Sequence, residues 1–361
     1  MEIFEDRRAL HRIPETGLHL PKTTAYVTAR LKEMGCRVFH PMESAVCTFF
    51  DFGADSAIAF RADMDALSIY ERTGLPFASE HEGFMHACGH DGHTAALLEL
   101  ARRLKNKKLD RNILLIFQPG EETPGGAAPL CETGVLEQYR VEALFGLHLW
   151  PGLEKGRVYS RVGALMARSS RLKVTVSGRS AHIGKWEEAV DAMAAGVQFY
   201  TKAVEMERAI EPGVFRLLKF GRMESGSAHN IISAQTVFEG SLRTYDDGVF
   251  DYMAEKLFEI AGQVEADTGC RVEIRMSTNY PAVMNPEEVL AKVRKLADVG
   301  EVEKPSMVAE DFSFYQKRVP ALFFFLGVGD TPTLHANNFD FDESVLLKGV
   351  ELFETLAEQY R

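Results

Sequence analysis

Three runs of apolar, β-branched and aromatic residues, at 57–61, 112–117 and 143–149, constrain this chain more than any other feature. Each is almost continuously apolar, the pattern of a strand buried on both faces. A further short buried strand reads at 45–50. Helical sequence lies among them: residues 2–12, a helix started by Pro21 through Thr24, Val27, Leu31 and Met34 to a stop at Gly35, and the Ala- and Leu-rich stretch from Thr94 to Leu104. Strands and helices in alternation predict an α/β fold with a doubly wound, mostly parallel sheet. Such sheets build their sites beyond the carboxyl ends of the strands. Polar residues stand at those exits: Asp63 and Asp65 after the first run, Glu121 and Glu122 after the second, and His148 near the end of the third.

Between the first two runs lies Met85-His86-Ala87-Cys88-Gly89-His90-Asp91-Gly92-His93, with histidines, a thiol and a carboxylate around two glycines. Imidazole and thiolate suit borderline ions such as zinc, cobalt, nickel or manganese, and glycine lets neighbouring ligands turn toward one point. Cys88 and His90 are the first candidate ligands. A hydrolytic metal site also needs one carboxylate to bind the ion and another to take a proton from water. Glu121 and Glu122, adjacent on an irregular turn, can supply both roles. His148 and His335 complete a set of nitrogen, sulfur and oxygen ligands large enough for two metals, with Asp63 and Asp65 placed to orient imidazoles. Without the cluster, the same residues would read as an acidic turn, capped strand-end histidines and turn aspartates.

From about Arg171 the pattern changes, and Leu172, Val174 and Val176 alternate with polar residues as in a sheet with one face in water. A helix near 187–207, strands near 214–220 and 235–243, a helix near 250–268 and a strand at 271–276 complete a smaller α+β domain over 171–280. It is inserted into a first domain of residues 1–170 plus 281–361. That domain is closed by a buried strand at 320–326, by Thr333-Leu334-His335-Ala336-Asn337-Asn338 and by a helix from Asp342.

A formal charge of −11 would repel phosphate backbones and anionic lipid, so neither nucleic acid nor a membrane is expected as a partner. The longest apolar runs fall far short of the ~20 residues of a membrane helix. Cysteines at 36, 47, 88, 131 and 270 are odd in number and scattered, and the start, Met1-Glu2-Ile3-Phe4-Glu5-Asp6, is unlike a signal peptide. A reducing cytoplasm is the expected location.

The motifs Leu10-His11-Arg12-Ile13-Pro14-Glu15, Arg61 to Leu67, Thr73-Gly74-Leu75-Pro76-Phe77, His86 to His93, Phe117 to Glu122 and Leu334-His335 together resemble one family. It is the aminoacylase/carboxypeptidase superfamily of metal-dependent amidohydrolases. The branch resembled contains hippurate hydrolase, auxin-conjugate hydrolases, N-acyl-amino-acid hydrolases and N-acetyldiaminopimelate deacetylase. The resemblance implies that Cys88, His90, Glu122, His148 and His335 hold two divalent ions, that Glu121 is the general base and that Asp63 assists. It further implies that the inserted domain is a lid that often forms a homodimer, with His182, Asn230 and Arg243 matching substrate-binding positions. The substrate class implied is a small N-acyl amino acid.

Two segments depart from the family pattern. Gly178-Arg179-Ser180-Ala181-His182-Ile183-Gly184-Lys185 lacks the usual paired glycines before the histidine and the proline after it, and Ala309-Glu310-Asp311-Phe312 replaces a glycine-led version. The stretch from Ser68 to Asp91 and the run Glu121 to Ala127 especially resemble N-acetyldiaminopimelate deacetylases, whereas Val162 to Ala167 is more similar to the general amidohydrolases. Hydrolysis of hippurate, indoleacetyl amino acids or dipeptides is the alternative within the family. A Cys88 thiolate nucleophile with His90 or His93 as base is a rival enzyme class. A metal-dependent binding protein without turnover is a third reading, opposed by retention of Glu121.

Overall fold

The computed structural model describes residues 1–361, the side chain of Thr278 aside. The chain divides into two compact units, one of Met1–Leu165, Val283–Pro305 and Glu310–Arg361, the other of Met166–Ala282 and Ser306–Ala309. These bounds differ from 171 and 280, and the return of Ser306–Ala309 reflects the bond from Ala167 N–H to the Val308 carbonyl at 3.1 Å. Periodicity cannot report such a bond.

In the larger unit the strands Ala57–Asp63 and Asn112–Gln118 are buried at every residue, as their apolar runs require. They pair in parallel, with Ile58 opposite Ile113 and Asp63 opposite Gln118. The full sheet runs Val38–Phe39, Val46–Phe50, Asn112–Gln118, Ala57–Asp63, Val141–Pro151, Ala321–Gly329, Val158–Ser160 and Gly300–Glu301. From Asn112–Gln118 to Ala321–Gly329 the neighbours are parallel. The strands on either side of that block, Val46–Phe50 and Val158–Ser160, run antiparallel to it. Parallel register carries the exits of the central strands to one edge, which puts Asp63 and Gln118 level.

The helix expected from Thr94 begins instead at His90 and runs to Leu104. Gly89 is its N-cap at φ 85°, where an added Cβ would stand 2.9 Å from Leu149 Cδ1. The side chains of His90 and His93 are buried against strand-exit groups, and Asp91 is buried against Arg7 and His11 of the helix Glu2–His11. Leu97, Leu98, Leu100 and Leu104 are fully buried behind them. Each such leucine contributes about 1.5–3 kcal/mol by leaving water, which anchors the turn that carries the histidines.

The smaller unit is a four-stranded antiparallel sheet in the order Arg271–Tyr280, Arg168–Ser177, Gln235–Thr244, Arg216–Ser225. Leu172, Val174 and Val176 are buried in a core with residues of the helices Ala192–Ala209 and Asp247–Thr268. Those helices begin where a cap allows: Asp191 accepts from Met193 N and Ala194 N, and Asp246 accepts from Val249 N. No helix among the described residues is long and apolar enough to cross a membrane.

Candidate metal centre

Strand exits and the first turn of the His90–Leu104 helix meet in the larger unit. His90 Nδ1 donates to the Asp65 carbonyl at 2.8 Å, and His148 Nδ1 donates to the Leu149 carbonyl at 2.7 Å. A carbonyl can only accept, so each Nδ1 carries a proton and each Nε2 is left to face the centre. Cys88 Sγ is 3.3 Å from His148 Nε2, and the ligand atoms of Cys88, His90 and His148 lie within 4.8 Å of one another. Cys88, Glu122 and His335 form a second group of the same tightness. The two groups share one thiol and bring together Cys88, His90, Glu122, His148 and His335.

His335 comes from the tail in the left-handed region, at φ 66°, with its N–H on the Ala87 carbonyl at 2.8 Å. Its Nε2 stands 3.0 Å from Glu122 Oε1, and its side chain is about half exposed at 47%. His90 Nε2, by contrast, is buried with no hydrogen-bond partner, 3.8 Å from Asp63 Oδ2 and 4.0 Å from Glu121 Oε2. An orphaned ring nitrogen between carboxylates is a position a cation would satisfy. The donor types, thiol, imidazole and carboxylate, suit a borderline divalent ion.

The charges agree with that reading. Burial holds the His148 imidazole well below its usual range, so it is neutral and free to ligate. At His90 burial also works downward, but the charges of Asp63 and Asp65 outweigh it and push the ring up to about 10, so these surroundings favour positive charge at Nε2. Burial, reinforced by Glu122 and Glu121, pushes the Cys88 thiol well up. Such a thiol ionises against a cation rather than alone, which counts against a free thiolate nucleophile. His93 is no base for it either: its Nδ1 donates to Asp63 at 2.6 Å and its Nε2 accepts from Leu149 N at 2.9 Å.

Glu121 and Glu122 are pushed apart. Burial, then the charges of Glu310 and Glu122, hold Glu121 well above the usual carboxylate range. Glu122, against the same burial, is held below that range by His335 and His90. One neighbour favours a proton and the other stays ionised, the split expected of an acid–base group beside a ligand.

Supporting groups surround the pair. Asp63 lies outside both groups that share Cys88, with its oxygens on His93 and, at 2.8 Å, on Arg61 Nη1. Burial opposes its ionisation, but His90, His93 and Arg61 hold it well below the ordinary range. Asp65, expected to orient imidazoles, holds His90 Nδ1 through its backbone carbonyl, with a carboxylate oxygen 3.6 Å from the same nitrogen. Its carboxylate accepts from Glu121 N at 2.9 Å and Glu122 N at 3.0 Å. Asp65 is 0% exposed, so these charge-assisted bonds are made out of water and are strong.

Sequence reasoning missed a neighbouring hub. Arg61, 1% exposed, ion-pairs Asp63, Glu310 and Asp311 at 2.8, 3.1 and 2.9 Å. An arginine closing an apolar strand run was the available signal, together with the adjacent acids of 309–312.

His182, Asn230 and Arg243 belong to the smaller unit. The first two are exposed and lie on segments that pair: His182 bridges Ile231, and Ile183 N donates to the Asn230 carbonyl at 3.0 Å. Arg243 is half-buried, donates to the Met307 carbonyl and to Ser241 Oγ, and has no carboxylate partner among the described residues. Its acidic neighbours are occupied, Asp246 as a helix cap and Asp247 with Arg168. Burial alone lowers the guanidinium pKa.

Known proteins place this arrangement in context. An uncharacterized hydrolase of Staphylococcus saprophyticus is 32% identical over 99% of this chain and 97% of its own. The crystal structure of a Bacillus subtilis dinuclear metal-binding peptidase of the M20 family matches at 30% identity with a TM-score of 0.85, covering 99% of this chain and 96% of that one. An aminobenzoyl-glutamate utilization protein from Klebsiella pneumoniae shares the fold at 20% identity and a TM-score of 0.74, over 99% and 95% of the two chains. The sequence pattern of peptidase family M20/M25/M40 spans residues 59–359, which include all five converging donors and the acidic pair, and the chain is a hydrolase that belongs to this family.

Proposed function

We propose that this hydrolase cleaves the amide bond of N-acyl amino acids, with N-acetyl-amino-acid deacetylation, such as that of N-acetyldiaminopimelate, as the best specific reading. The observation that carries it is the Glu121–Glu122 pair, adjacent in sequence, opposite in proton affinity and set among donor groups that share Cys88. Cys88, His90, Glu122, His148 and His335 would hold two divalent ions, zinc, manganese, cobalt or nickel. When bound, these supply Lewis acidity toward the scissile carbonyl and toward water. Glu121 takes a proton from the attacking water and delivers it to the departing nitrogen, so that the C–N bond breaks to a carboxylate and an amine. Asp63 keeps His93 and Arg61 in place beside the centre.

Residues 1–170 and 281–361 act in this reading as the catalytic domain and 171–280 as the lid. His182 is the donor for the developing oxyanion, and Asn230 and Arg243 bind the substrate, the guanidinium gripping its carboxylate. A homodimer through the smaller unit is supported by the open edge strand Arg216–Ser225, with Met223 exposed, and by exposed Val197 and Tyr200 on the helix Ala192–Ala209. Antiparallel self-pairing that sets Met223 against Phe220 also sets Glu224 against Lys219. A cytoplasmic location fits five free cysteines.

The test is turnover of a panel of N-acetyl, N-benzoyl and N-indoleacetyl amino acids and dipeptides by metal-loaded protein. The variants Glu121→Gln and Glu122→Gln are measured beside it. Glu121→Gln should lose about 10²–10⁴ in rate with its metal retained, and Glu122→Gln should lose metal. Ordinary turnover by both variants would refute the mechanism.

A further inference from the structure

The turn that carries Glu121 and Glu122 is gripped at both ends by buried aspartates. At its head, the Asp65 carboxylate accepts from the N–H groups of Glu121 and Glu122 at 2.9 and 3.0 Å. At its tail, Asp311 Oδ2 accepts from Gly126 N at 2.8 Å and Ala127 N at 2.9 Å. The same carboxylate takes both oxygens to Gln118 Nε2, at 3.0 and 2.8 Å, and Oδ1 to Arg61 Nη2 at 2.9 Å. Asp311 is 0% exposed, so every one of these bonds is made out of water.

The turn itself closes tightly between the grips. Gly125 N donates to the Gly120 carbonyl at 2.9 Å, and a Cβ built on Gly126 would stand 1.7 Å from the Pro119 carbonyl oxygen. Gln118 also belongs to the clamp, since its Oε1 accepts from Arg61 Nε at 2.9 Å and from the Tyr315 hydroxyl at 2.8 Å. The end of one strand and the far side of the acidic turn are thereby tied to a single carboxylate that stands nearly two hundred positions later in the chain.

We infer that Asp311 is a positioning residue: with Asp65 at the opposite end, it holds the Glu121–Glu122 turn in its working shape before any metal arrives. This rests on the reading of Glu121 and Glu122 as the working carboxylates. None of the bonds at Asp311 involves a metal ligand, so the tail of the turn owes its order to charge-assisted amide bonds. Metal and substrate therefore meet a preorganised pair of carboxylates rather than having to assemble one.

Hydrogen exchange on the whole protein, stripped with a chelator and then loaded with zinc, tests the inference first. The amides of Glu121, Glu122, Gly126 and Ala127 should exchange slowly in both forms, within about tenfold of each other. Loss of their protection on stripping would overturn the inference, because metal would then be the organiser. Asp311→Asn tests it second, since the amide turns an N–H₂ toward groups that are themselves donors. We expect faster exchange confined to residues 119–127 and a kcat lower by about 10–100-fold with KM held within about twofold, the usual scale for a group supporting a metal site. Unchanged kcat, or faster exchange spread over all the central strands with kcat per folded molecule unchanged, would reduce Asp311 to a structural residue and overturn the inference. Should that variant fail to fold, the stripped-protein measurement decides alone. Glu121→Gln, assayed alongside, separates the two ideas. Full turnover by it defeats the functional reading, whereas an inactive Glu121→Gln with a fully active Asp311→Asn defeats only the clamp.

Discussion

Glu310→Gln should make this protein progressively more stable than its parent as pH rises, because glutamine avoids the buried charge that Glu310 must take on. Glu310 is 1% exposed, with Oε1 3.1 Å from Arg61 Nη2. Burial, opposed by Arg61 and helped by Asp311 and Asp63, pushes its carboxyl up to about 8. In an unfolded chain a glutamate titrates near ~4.3. Between that value and about 8, the folded state keeps a proton that the unfolded state has released, so stability falls as pH rises. The stability linked to this proton is fully present below ~4.3 and lost once pH has passed through the folded value. Over roughly 3.5 pH units at ~1.4 kcal/mol each, the ceiling is roughly 5 kcal/mol. Glu121 and Asp311 share the same charge environment, and about 2 kcal/mol for Glu310 alone is the working figure. Glutamine does not titrate, has nearly the same volume and keeps an oxygen for Phe312 N, which Glu310 Oε1 accepts at 3.0 Å. Thermal melts of both proteins from pH 5 to pH 8.5 should therefore show Tm of the variant gaining on the parent by about 3–4 °C across the window. A difference that stays flat, or that shrinks toward alkaline pH, would show that the extra proton does not reside on Glu310.

Gly126→Ala should lower Tm and cut turnover more than about tenfold, because its Cβ would lie 1.7 Å from the Pro119 carbonyl oxygen and overpacking costs about 1–3 kcal/mol or more. Wild-type melting and rate would mean that the turn is looser than described. Asp65→Asn should weaken zinc affinity by about 10–100-fold in a chelator competition, since one acceptor for the Glu121 and Glu122 amides becomes a donor. An unchanged affinity would remove Asp65 from the support of the site. Stripping the loaded protein with a chelator should lower Tm, by an amount that grows with the zinc concentration of the starting sample, as expected for an ion that binds only the folded state. Identical melting and turnover before and after stripping would count against a divalent-metal centre.

Much of the architecture can be read along the chain. A continuously apolar strand must be buried on both faces, and strands of that kind alternating with helices leave few options besides a parallel sheet with its polar residues at one edge. Asp63, Glu121 and His148 stand at such exits, and the cluster from His86 to His93 announces its chemistry by residue type alone. The change to alternation near Leu172 likewise marks a second sheet, because alternation means one wet face. These features are local, and period and composition report them directly.

Whatever depends on which partner satisfies a buried polar group was settled only by tertiary packing. The helix expected from Thr94 starts at His90, because Asp63, Asp65 and Leu149 meet the ring nitrogens of His90 and His93 inside the protein. Glu121 and Glu122 look equivalent in sequence and differ in proton affinity because Glu310 stands by one and His335 by the other. Asp311 reads as an acidic residue in a segment that departs from the family pattern, but it ties together Arg61, Gln118, Gly126 and Ala127. Neither burial nor the identity of a partner some two hundred residues away leaves any periodic trace in sequence. A buried charge is tolerated only where the fold brings its complement within hydrogen-bond reach.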